Sequence, residues 1–230
     1  ALIFSHKYTK DVTHNEAPEE SKAMQIADDN LGQVLLFPYY TVKNGLNTLL
    51  SVVNTTNETK ALKIRFLEGK NSREVLSFNI YLSAYDVWTA GLIPTSSTVE
   101  SHTGEPSVKI ITFDNSCKIP EFEAQEFLPY AFTGIATDDL GDNMDRAQEG
   151  SVEIIDMGSL TAAIDMASAR HNSEGEPKCA RLNSNWTPPT GKWIQNPNDD
   201  LAIYDGLGGL YGSVSLIDVE RGVDMSYDVT

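Results

Sequence analysis

Cysteine, histidine, positive charge and long apolar runs are all scarce in this chain, and each scarcity removes a class of function. There are two cysteines, Cys117 and Cys179, among 230 residues. Neither belongs to a Cys-x-x-Cys pair and neither neighbours a histidine cluster, so nothing argues for structural zinc or dithiol redox work. The four histidines, His6, His14, His102 and His171, are scattered, with no second candidate ligand at i, i+2 or i+4. Seventeen Lys and Arg stand against 33 Asp and Glu, a formal charge of −16. A nucleic-acid backbone or an anionic lipid surface would be repelled, and cations attracted. No run approaches the ~20 apolar residues that cross a bilayer as a helix, so no membrane insertion is expected.

Catalytic patterns are missing too. Gly-x-Ser-x-Gly does not occur, which removes the nucleophile-elbow hydrolases. Asp205-Gly-Leu-Gly-Gly209 lacks the Lys-Ser/Thr of a phosphate loop, and its glycines are read as turn residues. Carboxylates are so plentiful that sequence singles out no pair for glycoside chemistry. The chain is therefore not expected to be an enzyme.

What is present is β-sheet patterning. From Gly45 to Leu82 the sequence reads GLNTLLSVVNTTNETKALKIRFLEGKNSREVLSFNIYL. Leu49 to Val53 is short, apolar and β-branched. Leu62, Ile64 and Phe66 then alternate with Lys63 and Arg65, and Leu76, Phe78, Ile80 and Leu82 alternate with polar residues. Two Asn-, Thr- and Gly-rich turns separate the runs. The expectation is an antiparallel three-strand meander, entered through the hairpin signal Asn44-Gly45. Gln33 to Val42 precedes it as a strand whose Pro38 demands an edge or a bulge. Further strands are expected at Ser83–Ala90 (with Trp88 turned inward), 107–113, 151–157 and 212–219. One helix is expected over Ser159–Arg170, from the spacing of Leu160, Ala163, Ile164 and Ala167 with Ser159 as cap. The fold class is all-β: an immunoglobulin-like antiparallel β-sandwich with one short helix and long loops.

Residues 1–32 differ from the rest and are read as an N-terminal arm, with 33–230 as the sandwich domain. The arm starts Ala-Leu-Ile-Phe-Ser without Met, which fits a mature chain after signal-peptide removal. Tyr227 to Thr230 reads as a strand in progress, so a longer natural protein is expected. The sharper reading of the arm is that Leu2, Ile3 and Phe4 add as a strand to a second copy. Charge supports association between copies: Lys43 to Arg73 is basic, whereas Glu121 to Asp156 carries ten acids against Arg146. Lys63 and Arg65 are the candidate assembly face.

Three local features invite chemistry. Asp138, Asp139, Asp142, Asn143 and Asp145, around Gly141, supply enough oxygen donors for Ca²⁺. Their spacing is not that of an EF-hand, so the loop is read first as an acidic surface and calcium as the one candidate cofactor. Trp186 and Trp193 sit in a Pro- and Asn-rich stretch, where they either pack the loop or form a platform for sugar rings. Asn54, Asn57 and Asn185 head Asn-x-Thr sequons. The two cysteines, an isolated pair in a β protein read as secreted, are expected to form a disulfide closing a loop of about 60 residues, a constraint with an upper limit of about 4 kcal/mol.

The segments LLFPYYTV, LLSVVNTTNETKALKIRFLEGKNSREVLSFNIYLSAYDVWTA, MDRAQEGSVEIIDMG and GGLYGSVSLIDVERG, with the Cys117 and Cys179 pair between them, resemble a family of uncharacterised secreted or cell-surface proteins of Gram-negative bacteria. The resemblance covers residues 33 to 230. It implies export, a β-rich fold and a surface role, and it carries no catalytic residues. The expected function is a secreted structural protein that self-assembles into an extracellular filament, sheath or surface layer, with copies of itself as partners. The alternative is a module that binds surface polysaccharide.

Overall fold

A computed structural model describes residues 2–3, 25–202 and 208–229. Among these residues fourteen strands fall into two antiparallel sheets. They are β1 (Leu2–Ile3), β2 (Gln25–Ile26), β3 (Val34–Thr41), β4 (Leu46–Asn54), β5 (Lys60–Glu68), β6 (Glu74–Leu82) and β7 (Val87–Ser96), then β8 (Pro106–Ile111), β9 (Cys117–Ile119), β10 (Ala124–Glu126), β11 (Glu149–Leu160), β12 (Leu201–Ala202), β13 (Leu210–Asp218) and β14 (Val223–Asp228). Sheet A runs β2-β1-β3-β11-β5-β6-β9, with β12 paired to β11, and sheet B runs β10-β8-β7-β4-β13-β14. The all-β sandwich is thus present, and its strand order does not by itself make it immunoglobulin-like.

The inner faces follow the period-2 pattern. Ile64, Phe66 and Phe78 of sheet A meet Val52, Trp88, Leu92 and Val214 of sheet B in one buried cluster. Aromatic rings fill its middle: Phe66 lies 5.1 Å from Phe127, and Phe78 lies 5.8 Å from Trp88. Trp88 is fully buried, as expected. Opposite Pro38 and Tyr39 the pairing of β3 with β11 slips, jumping from Gly150–Tyr40 to Val152–Phe37. That is the bulge the proline required.

The meander needs correction. Only β5 and β6 pair as a hairpin; β4 pairs with β7 and β13 in the other sheet. Asn44 and Gly45 do take the expected positive φ values, 57° and 83°, yet the strands they join belong to different sheets. The corner is held by the Thr48 hydroxyl, which accepts from the Thr41 N–H at 3.0 Å and donates to the Thr41 carbonyl at 2.7 Å. At the next crossing the Asn54 amide donates to the carbonyls of Glu58 and Ser83. Both turns are polar, as anticipated, but pack two sheets face to face instead of extending one.

Helices differ too. The described residues hold three short α-helices, α1 (Ala163–Ala169), α2 (Ala180–Asn185) and α3 (Lys192–Gln195), where one was expected. Ser159 and Leu160 stay in β11, paired with Ala202 and Leu201 of β12. Ile164, counted in the apolar face, is 59% exposed, whereas Asp165 is buried. The phase is set by Asp165, which accepts from Arg181 Nε, Asn185 Nδ2 and Lys192 Nζ and so ties α1 to the other two helices.

Candidate functional site

Each sequence-derived candidate can now be placed. Cys117 and Cys179 are bonded, with Cα atoms 5.2 Å apart. The bridge fastens the helices to the end of sheet A, over a second small core containing Ala61, Tyr81, Leu182 and Trp193. The two tryptophans belong to this core and do not form an open platform. Trp193 is buried, stacks on Tyr81 at 5.4 Å and 7°, and donates from Nε1 to the Asp199 carbonyl. Trp186 is half-buried and donates to the Tyr81 hydroxyl at 2.8 Å. Burial holds that hydroxyl's pKa above the ordinary tyrosine value. The packing reading therefore describes this stretch, because the disulfide and Asp165 press it onto the sheet.

The acidic loop is likewise committed within the chain. Arg146 is fully buried, and its side chain reaches both Asp138 and Glu68. Nε and Nη2 donate to the Glu68 carboxylate at 2.9 and 3.0 Å. Nη1 and Nη2 donate to Asp138 at 2.9 and 2.8 Å, and Nη1 also donates to the Gly141 carbonyl at 2.7 Å. The guanidinium lies 4.4 Å from the Phe132 ring centre. Asp138 accepts further from Asn71, while Asn143 caps a 3-10 turn by accepting from the Asp145 N–H. Asp139 sits in the left-handed region with φ 63°. Among the described residues no group of three or more His, Cys, Asp or Glu is placed to hold a metal ion. Within the loop the Asp138 carboxylate faces a guanidinium.

The charges of this centre are strongly biased. Arg146 first, then Asn71 and the Leu140 amide, hold the Asp138 carboxyl well below the usual carboxylate range, against its own desolvation. Burial alone would push Glu68 up, but Arg146 and the amides of Arg73, Lys70 and Asn71 outweigh it and hold it below the ordinary value. At the other end of the sandwich Lys60 and Asp156 form a buried ion pair at 3.1 Å. There burial wins, and the Asp156 carboxyl is raised despite Lys60.

Of the assembly candidates, Leu2 and Ile3 form β1 and pair with β2 and β3 of the same chain, and Phe4 lies outside the described residues. Arg65 points outward from sheet A but is held by Glu74 at 2.9 Å and Glu153 at 2.8 Å. Lys63 beside it is half-buried, and burial lowers its pKa in spite of Glu74. Of the sequons, Asn54 and Asn185 are buried and bonded, leaving Asn57 exposed.

Two surface features were not foreseen. Along β6, β9 pairs only with Asn79–Tyr81. The remaining edge, Glu74 to Phe78, borders a groove of about 540 Å³ walled by Pro120, Phe122, Leu128 and Tyr130. On the outer face of sheet B a trough of about 690 Å³ crosses Leu49, Ser51, Gly91 and Ser213, with Phe113 at its side. Phe113 is 89% exposed and Tyr130 72%. The signal for Phe113 was its place on the same strand face as Lys109, the wet side; Tyr130 carried none, since a loop aromatic has no periodicity to violate.

The class is thereby defined: a two-sheet antiparallel β-sandwich with a disulfide-fastened helical patch and open sheet edges. No family model, curated protein or solved structure matches this chain. No helix among the described residues is long and apolar enough to cross a membrane.

Proposed function

We propose that the chain is a secreted structural protein that self-assembles on or outside the cell through its open sheet edges. The observation that carries this reading is the last strand. Among the described residues β14 pairs with β13 on one side only, five of its six residues are exposed, and Val223 and Met225 present apolar surface at 43% and 48% exposure. A regular edge of this kind offers a row of backbone donors and acceptors to another chain, and proteins that stay monomeric usually blunt it with bulges, prolines or inward charges. The disulfide supports an oxidising compartment, where such bonds persist. Electron microscopy and sedimentation of the purified protein test the reading. Ordered polymers or stable oligomers are expected at high concentration; discrete monomers throughout would reject it.

A second reading, a polysaccharide-binding module, is favoured by the trough on sheet B rather than by the tryptophans. An almost fully exposed Phe113 lines the same trough as Ser51, Ser213 and Ser215, whose hydroxyls bond one another and Ser226. Sugars are bound by an aromatic face flanked by hydrogen-bonding groups. Binding on a glycan array that is lost in Phe113→Ala but kept in Trp186→Phe would support it, and identical binding by both variants would remove it.

A further inference from the structure

We propose that Lys60 and Asp156 join covalently, the Lys60 Nζ condensing with the Asp156 carboxyl carbon to an amide that staples β5 to β11 within sheet A. The proposal stands on this pair and does not rest on the self-assembly reading. Register brings the two together. Asp156 stands opposite Leu62, so it shares a sheet face with Lys60, two residues back along β5. That is the inner face, since Leu62 belongs to the main core. Lys60 Nζ lies 3.1 Å from Asp156 Oδ2, and both side chains are 0% exposed. The Gly208 N–H donates to the same oxygen at 3.0 Å. Between Asp156 and Gly158 the pairing of β11 with β5 slips, and there the Gly158 N–H donates to Asp156 Oδ1 at 2.9 Å.

The exclusion of water is what separates this pair from an ordinary ion pair such as Lys43–Glu149, whose side chains are 36% and 39% exposed. Burial disfavours separated charges, and a buried pair relieves that cost by passing the ammonium proton to the carboxylate, which leaves an amine and a carboxylic acid. Burial raises the Asp156 carboxyl above its ordinary value in spite of Lys60, the direction this transfer needs. The amine then rests against Oδ2, one covalent bond from the carbon it attacks, so a bimolecular encounter becomes an intramolecular one. The step balances within the pair. The Nζ lone pair forms the C–N bond, the bond from Cγ to Oδ2 breaks, and Oδ2 leaves as water with the transferred proton and one more from Nζ. The third ammonium hydrogen stays as the amide N–H. Nothing is oxidised or reduced, and no co-reactant is consumed. Negative charge developing on Oδ1 meets the Gly158 N–H, a backbone donor already aimed at it. The product replaces a desolvated ion pair by a neutral amide. It ties positions 96 apart in sequence and, unlike Cys117–Cys179, survives reduction.

Intact-mass spectrometry of the purified, reduced full chain reads the bond directly. After incubation at neutral pH, a loss of about 18 Da from the sequence mass, one water, is expected. Trypsin does not cut after an acylated lysine, so a branched peptide joining residues 44–63 to residues 147–170 is expected, with fragmentation placing the branch at Asp156. Lys60→Met and Asp156→Ala should each keep the full sequence mass. A wild-type chain at the full sequence mass would overturn the proposal, and that measurement requires no variant to fold. A loss of water that persists in Asp156→Ala, or a branch at another acid, would overturn it equally.

Discussion

Arg146 spends all five of its N–H groups inside the protein, on Glu68, Asp138 and one carbonyl. Glu68 in turn accepts the amides of Lys70, Asn71 and Arg73, so one carboxylate fixes the whole β5–β6 turn. Removing one partner of a buried pair leaves an uncompensated charge, which costs about 3–5 kcal/mol. Glu68→Gln is therefore expected to lower the melting temperature by about 10 °C, measured by circular dichroism. The pH dependence has a definite sign. Glu68 and Asp138 are held below their ordinary values, so their stabilisation is complete above the usual carboxylate range and is lost as pH falls through the lowered values. Glu74, Glu126, Glu149 and Asp165 are lowered as well, against Asp156, which is raised and works the other way in its own window. Melting temperature should be flat near neutrality and fall below about pH 4, and a chain as stable at pH 2.5 as at pH 7 would contradict this balance.

Among the elements, the helical patch depends most on a covalent tie. α1, α2 and α3 have four to seven residues each, too short to stand alone in water. They stay ordered because Cys117–Cys179, Asp165 and the Tyr81–Trp193 stack hold them on sheet A. Closing a loop of this length is worth up to about 4 kcal/mol. Reduction, or the double change Cys117→Ser and Cys179→Ser, is expected to open residues 163–200 to proteolysis before the sheets unfold. Cleavage should appear in that segment first, and simultaneous loss of both sheets would show that the patch is no separate unit. The turns around Asn44-Gly45 and Asn54 make a different point: their local chemistry was legible in sequence, but whether a turn makes a hairpin or a corner was not. A turn fixes only its own dihedrals; β4 takes β7 and β13 as its ladder neighbours in sheet B, while its inner face, with Leu50 and Val52, packs on sheet A.

For the whole molecule the decisive features are the edges. Among the described residues the outer edge of β14 in sheet B carries no paired strand, whereas the β6 edge in sheet A takes the Leu128 N–H on its Val75 carbonyl. Met225→Lys places a charge on the β14 edge and is expected to lower polymer yield without changing the melting temperature, as sedimentation would show.

By itself the sequence determined the class: alternating runs such as Leu62–Ile64–Phe66 leave a buried and a wet face, which demands sheets packed on one another, and an isolated cysteine pair is suited to a bridge. It also restricted Pro38 to an edge or a bulge, because proline has no backbone N–H to give a ladder, and the fold took the bulge. Tertiary structure alone decided that the Asp138 carboxylate meets Arg146, that Trp193 is core, and that exposed aromatic surface lies at Phe113 and Tyr130. Those outcomes depend on which distant residues meet, Arg146 with Glu68 across 78 positions and Tyr81 with Trp186 across 105. Local propensity contains no information about such encounters.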